Sequence, residues 1–129
     1  MADLVFLTIE DITEIHADLI ESYGGSTGIR DLAGLESAIS QVQATFDGKL
    51  LHQSLFEMAS AYIFHLSSNH PFLDGNKRVA LASGLIFLEL NGVTIEDPTG
   101  TLYPFMIEVA SGRKQKPEIS ALLSRLASS

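Results

Sequence analysis

Apolar residues recur at helical spacing from the start of the chain. In "TIEDITEIHADLIES", residues 8–22, and the tyrosine that follows, Ile12, Ile15, His16, Leu19 and Tyr23 fall on one face. Thr8 stands ahead of the run as an N-cap, and Glu10 and Asp11 put acids in a first turn where the helix dipole favours them. Tyr23-Gly24-Gly25 stops this helix. Residues 31–46 repeat the pattern with Leu35, Ile39, Val42 and Phe46, opened by Asp31. Between the two helices, "YGGSTGIR" reads as a glycine-rich loop. In Phe46-Asp47-Gly48-Lys49-Leu50 an Asp-Gly step between apolar neighbours predicts a tight turn, read as a short hairpin or flap.

Residues 53–68 are apolar on almost every side (Leu55, Phe56, Met58, Ala59, Ala61, Tyr62, Ile63, Phe64, Leu66), the pattern of a helix enclosed by others. Residues 76–91 are similar, and Ala80, Ala82, Ser83 and Gly84 leave room for a close neighbour. Asn91-Gly92 supplies a left-handed helix stop. Val93-Thr94-Ile95 predicts a short strand beside Leu4–Leu7. Asp97-Pro98 predicts the start of a helix to about Ala110, and Pro117 lies in the first turn of the last helix. The pattern predicts an all-α fold: one domain over residues 1–129, a bundle of about six helices with minor short strands or a flap.

Composition agrees. At 129 residues the chain can bury roughly two-thirds of its unfolded surface. With 46% hydrophobic and 19% charged residues it is far from the disordered class. The absence of cysteine rules out a disulfide framework, a thiolate zinc site and a cysteine nucleophile. "MADLVFLTIE" lacks the basic flank of a signal peptide, and the longest nearly apolar run, the 12 residues Val79 to Leu90, is shorter than the roughly 18 needed to span a bilayer. A soluble, cytoplasmic protein without a membrane role is the expectation.

The net charge of −8 is uneven: residues 1–50 carry nine acids and two bases, and residues 51–129 seven acids and six bases. No basic face for phosphate neutralisation is evident, so direct DNA binding is not expected. The acidic half suits solvent or a basic partner.

Against this background "HPFLDGNKR", His70 to Arg78, concentrates polar chemistry between the two most apolar helices. The first N–H groups of the helix opening near Asn76 lack intrahelical partners, and the dipole there favours an anion. Gly75 permits close approach to the main chain, while Lys77 and Arg78 add two positive charges. Asp74 offers a hard oxygen of the kind Mg²⁺ takes when it bridges to substrate phosphates. His70 is the candidate general base, since an imidazole is the side chain type whose ordinary pKa lies near neutrality. Base, metal ligand and phosphate cradle together point to phosphoryl or nucleotidyl transfer to a hydroxyl. A plain polar loop is the competing reading, although cations in a first helical turn oppose the dipole.

"HPFLDGNKR" resembles the signature of the Fic/Doc superfamily, most closely its death-on-curing (Doc) branch. The likeness extends to "YGGSTGIRDLAGLESAISQVQATFDG" and "NKRVALASGLIFLELNG", and so to nearly the whole chain. It implies a Fic/Doc helical bundle, with His70 as the catalytic base, Asp74 as the Mg²⁺ ligand, and Gly75, Asn76, Lys77 and Arg78 as the phosphate- and nucleotide-binding residues. Phe72 would anchor the loop in the core and Pro71 would rigidify the turn.

AMP-transferring Fic proteins typically read HPFx[D/E]GNGRxxR. This chain has Lys77 for the second glycine and Leu81 for the second arginine. By resemblance to Doc proteins with this lysine, the implied activity is transfer of the γ-phosphate of ATP to a threonine of elongation factor Tu, halting translation. Gly75, where the best-known Doc pattern has alanine, and the HPF opening are Fic-like, so AMP or other nucleotidyl transfer is the alternative. A catalytically idle binding module is a second alternative. No serine or threonine begins the inhibitory pattern [S/T]xxxE[G/N], so the resemblance implies restraint by a separate Phd-like antitoxin.

Elsewhere His16, His52, His65 and His70 show no zinc-ligand spacing. His16 reads as a hydrogen-bonded, half-buried histidine of an apolar face, and "RKQK" at 113–116 as a solvated loop. The flap suits strand pairing with a target peptide, Lys49 touching it, as well as it suits an ordinary turn.

Overall fold

The structure, a computed structural model, describes residues 3–128. Six helices follow one another: α1 (Ile9–Tyr23), α2 (Leu32–Val42), α3 (Leu55–Asn69), α4 (Asn76–Leu90), α5 (Leu102–Ala110) and α6 (Lys116–Leu126). A two-stranded hairpin, β1 (Thr45–Phe46) and β2 (Lys49–Leu50), lies between α2 and α3. The fold is all-α, as the sequence pattern predicts.

Side chains fix the first three helix starts. At α1 a capping box closes, Asp11 N donating to Thr8 Oγ1 at 3.1 Å and Thr8 N to Asp11 Oδ2 at 2.9 Å. Asp31 accepts from Gly34 N at 2.9 Å, and Ser54 from Glu57 N at 3.1 Å. Each bond satisfies a donor that the helix itself cannot.

α3 is the enclosed helix that its apolar faces imply, packing against α2, α4, α5 and α6. It meets α4 tightly at Gly84, where an added Cβ would stand 2.6 Å from the Ile63 side chain and 3.2 Å from the Ala59 carbonyl oxygen. Around this contact Tyr62, Ile63, Leu66, Phe87 and Leu88 are fully buried. The Tyr62 hydroxyl accepts from Leu7 N at 2.8 Å, and burial pushes its pKa up to about 12.

Three boundaries differ from the sequence reading. α2 ends at Val42, and Phe46 leaves the helical face for the hairpin, where it is 77% exposed. Asp47 and Gly48 take φ of 55° and 79°, the left-handed pair that a two-residue hairpin turn requires, so the Asp-Gly signal overrides the helical one. Val93–Ile95 does not pair as a strand with Leu4–Leu7. Val5 spends its N–H and carbonyl on the Asn91 side chain, at 2.9 Å each, and Ile95 bridges instead to Ala127. α5 starts at Leu102 rather than at Pro98, because the Asp97 carboxylate accepts from Thr101 N at 2.7 Å and Leu102 N at 2.9 Å across an intervening turn. Among the described residues, no helix is long and apolar enough to cross a membrane.

Candidate active site

α3 delivers its last residues to a loop, 70–75, which α4 then leaves. His70 caps α3 in the left-handed region, φ 46° and ψ 55°, an uncommon conformation for a residue with a side chain. The guanidinium of Arg30 holds it there, Nε donating to the His70 carbonyl at 2.8 Å and Nη2 to the Asn69 carbonyl at 3.1 Å. These carbonyls have no helical partner, and a cation at this end also complements the dipole. Asn69 in turn donates to the Gly34 carbonyl at 2.9 Å. The His70 side chain is left exposed.

Main-chain bonds fasten the loop to the segment after α1. The Pro71 carbonyl accepts from Arg30 N at 2.8 Å and Asp31 N at 3.0 Å, and Leu73 N donates to the Gly28 carbonyl at 3.1 Å. Phe72, 1% exposed, is the core anchor of the loop. The His16 ring stacks on it with centroids 3.9 Å apart and planes 9° from parallel. His16 Nε2 lies 2.7 Å from the Asp74 carbonyl; a carbonyl only accepts, so this nitrogen carries the hydrogen. Asn76 reaches back to the Phe72 main chain, accepting from its N–H and donating to its carbonyl at 3.0 Å each.

The Asp74 carboxylate lies at the mouth of the loop. Oδ1 accepts from Gly75 N at 2.9 Å and Oδ2 from Ser26 N at 3.2 Å. Gly25 makes that approach possible, since its φ is +118° and an added Cβ would stand 2.6 Å from Oδ2.

α4 opens at Gly75, φ 77°, with no side chain capping it. The N–H groups of Asn76, Lys77 and Arg78 have no partner among the described residues. Lys77 is exposed, and the Arg78 guanidinium lies 4.7 Å from the Tyr23 ring centroid. Two cations on an uncapped helix start repel the dipole unless an anion joins them.

His70 and Asp74 to Arg78 therefore sit on one loop and the turn after it, while Lys49 lies on β2 of the hairpin. Their tasks differ: the Asn76 carboxamide is committed to the Phe72 main chain, which leaves its backbone N–H. Three positioning residues were not assigned from sequence. His16 is buried at 3% exposure rather than half-buried, Arg30 was only part of a glycine-rich loop, and Asn69 lies just past the predicted apolar helix.

A family model described as the Fic/DOC family matches residues 6–88, a span that includes His16, Arg30 and His70 to Arg78. The chain belongs to the Fic/Doc family. Among its relatives within the family, a protein of Escherichia phage P1 named "Protein kinase doc" is 33% identical over 117 residues, 91% of each chain. "Toxin Doc" of Mycolicibacterium smegmatis is 38% identical over 74 residues, 57% of each chain. The similarity thus runs to the Doc toxins of the Fic/Doc family.

Proposed function

We propose that this Fic/Doc protein is a Doc-type toxin kinase that moves the γ-phosphate of ATP to a protein hydroxyl. The observation that carries the reading is the uncapped start of α4. Three backbone N–H groups without a partner among the described residues and the two cations Lys77 and Arg78 belong to this one helical turn, one loop away from the exposed His70. Such a cradle stabilises charge on a transferring phosphoryl group without having to reorganise. A ring nitrogen of His70 takes the hydroxyl proton as the oxygen bonds to the γ-phosphorus, and ADP departs as the bond to its β-phosphate oxygen breaks.

Asp74 suits Mg²⁺ in the one-carboxylate mode that leaves other positions to water and phosphates. It is exposed, and each of its oxygens accepts a single backbone N–H, leaving acceptor capacity on both. Bound there, the ion would neutralise phosphate charge. The chain's own part is to hold the carboxylate in place, through Ser26, Gly75 and the His16 bond to the Asp74 carbonyl.

The target we infer, from the resemblance to Doc, is a threonine of elongation factor Tu, so that translation halts. A Phd-like antitoxin is the inferred restraint. Lys77, in the place of the second glycine of AMP-transferring Fic proteins, supports phosphate transfer over nucleotidyl transfer. Gly75 and the HPF opening favour the nucleotidyl alternative. Expression in a bacterial host tests the enzymatic reading: wild type should arrest growth and His70→Ala should not. Undiminished arrest by the variant would instead indicate an idle module acting by binding alone.

A further inference from the structure

A cavity of about 620 Å³ lies between α3 and α6, within the roughly 300–1,000 Å³ of small-molecule sites. Its wall on α3 is Phe56, Glu57 and Ser60, at the opposite end of the helix from His70, about 15–20 Å away at the helical rise. It is therefore separate from the phosphate cradle.

Lys116 and His52 line the cavity. The Lys116 ammonium lies 3.3 Å from His52 Nε2 and 3.2 Å from His65 Nε2, with the Phe64 ring centroid 5.9 Å away. Both rings accept, so each carries its hydrogen on Nδ1. In His52 that atom is buried without a full hydrogen bond, and the Val42 backbone beside it is a weak partner. Burial, and then Lys116 itself, hold both imidazoles below their usual range, His65 at about 4, so both are neutral near pH 7.

Lys116 is thus fixed by two neutral acceptors and not by a carboxylate. It gives up rotamer freedom and part of its hydration without gaining the counter-charge that ordinarily compensates a partly buried ammonium. Glu57, the acid on the cavity wall, acts on His52 through its charge but makes no hydrogen bond to Lys116. An ammonium has three donors, and the imidazoles use two. The third remains for a ligand, and the cavity is lined by the hydroxyl residues Ser120 and Ser124 and the apolar Phe56, Pro117 and Ala121.

We propose that this cavity is a second binding site, for a small organic anion whose carboxylate or phosphate pairs with Lys116 while its apolar body lies against Phe56 and Pro117. The test is an NMR titration of the full chain, following the ring signals of His52 and His65. The probes are hexanoate, benzyl phosphate, inorganic phosphate and hexylamine. Hexanoate, benzyl phosphate or both should give saturable shifts with midpoints at or below about 1 mM, and the tighter of the two identifies the anion. Lys116→Met should weaken binding at least tenfold, and Lys116→Arg should retain part of it. Ala121→Trp, at an exposed position of α6, should block the cavity while leaving the His52–Lys116–His65 contacts in place. Circular dichroism checks that each variant is folded.

No saturable shift with either organic anion would overturn the proposal. So would equal binding by hexylamine, equal binding by inorganic phosphate, or affinity unchanged in both Lys116→Met and Ala121→Trp.

Discussion

His16 and Asp74 stand 58 positions apart in the chain, yet His16 Nε2 lies 2.7 Å from the Asp74 carbonyl while its ring stacks on Phe72. One buried imidazole of α1 thereby fixes both the core anchor of the loop and the residue that offers its carboxylate. His16→Ala should cost about 2–3 kcal/mol in urea unfolding, since it removes a buried hydrogen bond and an aromatic stack. It should also lower phosphoryl transfer at least tenfold. His16→Gln, which keeps a donor, should recover part of the activity. Full activity in a folded His16→Ala protein would show that Asp74 needs no such support.

Arg30 acts from the other side. Its two bonds to the carbonyls of Asn69 and His70 hold His70, the proposed base, in a left-handed cap. Arg30 is exposed, so Arg30→Ala should cost only about 1 kcal/mol of stability. The catalytic effect should be larger: kcat falls and KM for ATP stays near wild type, because His70 moves while the phosphate cradle does not. Lysine should not rescue, as one ammonium cannot reproduce the two-pronged guanidinium. A change in KM alone would contradict this role.

How much of this was legible in the sequence depended on range. Thr8 and Asp31 announce helix starts through bonds spanning three residues, and the Asp-Gly turn through two backbone conformations, so local chemistry is enough. The nine residues from His70 to Arg78 carry nearly all the candidate chemistry in one stretch, and recognising them required no tertiary knowledge. Asp97-Pro98 misled because an Asp before a proline is also how a helix begins; here the carboxylate reaches four and five residues ahead. His16, Arg30 and Lys116 were undervalued because their partners lie 39 to 64 positions away, and periodicity says nothing about what a helix face will meet. Lys116, read within a solvated "RKQK", is in fact the first residue of α6 and is held by two histidines.

Gly25 offers a test of the metal ligand. A Cβ there would stand 2.6 Å from Asp74 Oδ2, on a backbone at φ +118°. Gly25→Ala should displace the carboxylate and raise the Mg²⁺ concentration for half-maximal transfer several-fold, measured at saturating ATP. An unchanged Mg²⁺ requirement would remove Asp74 from the proposed metal role.

The histidines beside Lys116 set a pH dependence. His65 is held at about 4 in the fold against 6.5 when unfolded, by burial first and by Lys116 and His52 after it. Between those values the unfolded chain binds a proton that the folded one refuses, so stability falls as pH drops from above 6.5 toward 4 and levels off below. His52, also lowered, acts in the same direction. Because His65 is only partly buried, solvent screening reduces the effect to about 1–2 kcal/mol, a drop of several degrees in Tm. Lys116→Met should make the slope shallower. Stability that rises on acidification through this window would contradict the neutral imidazole pair.

The central claim is that the start of α4 handles a transferring γ-phosphate. Purified protein, Mg²⁺ and elongation factor Tu are incubated with ATP labelled at either the α- or the γ-phosphate, with His70→Ala as control. We predict that γ label appears on a threonine of the target and that α label does not, with His70→Ala reducing transfer at least a hundredfold. Appearance of the α label on the target would contradict the account and establish nucleotidyl transfer.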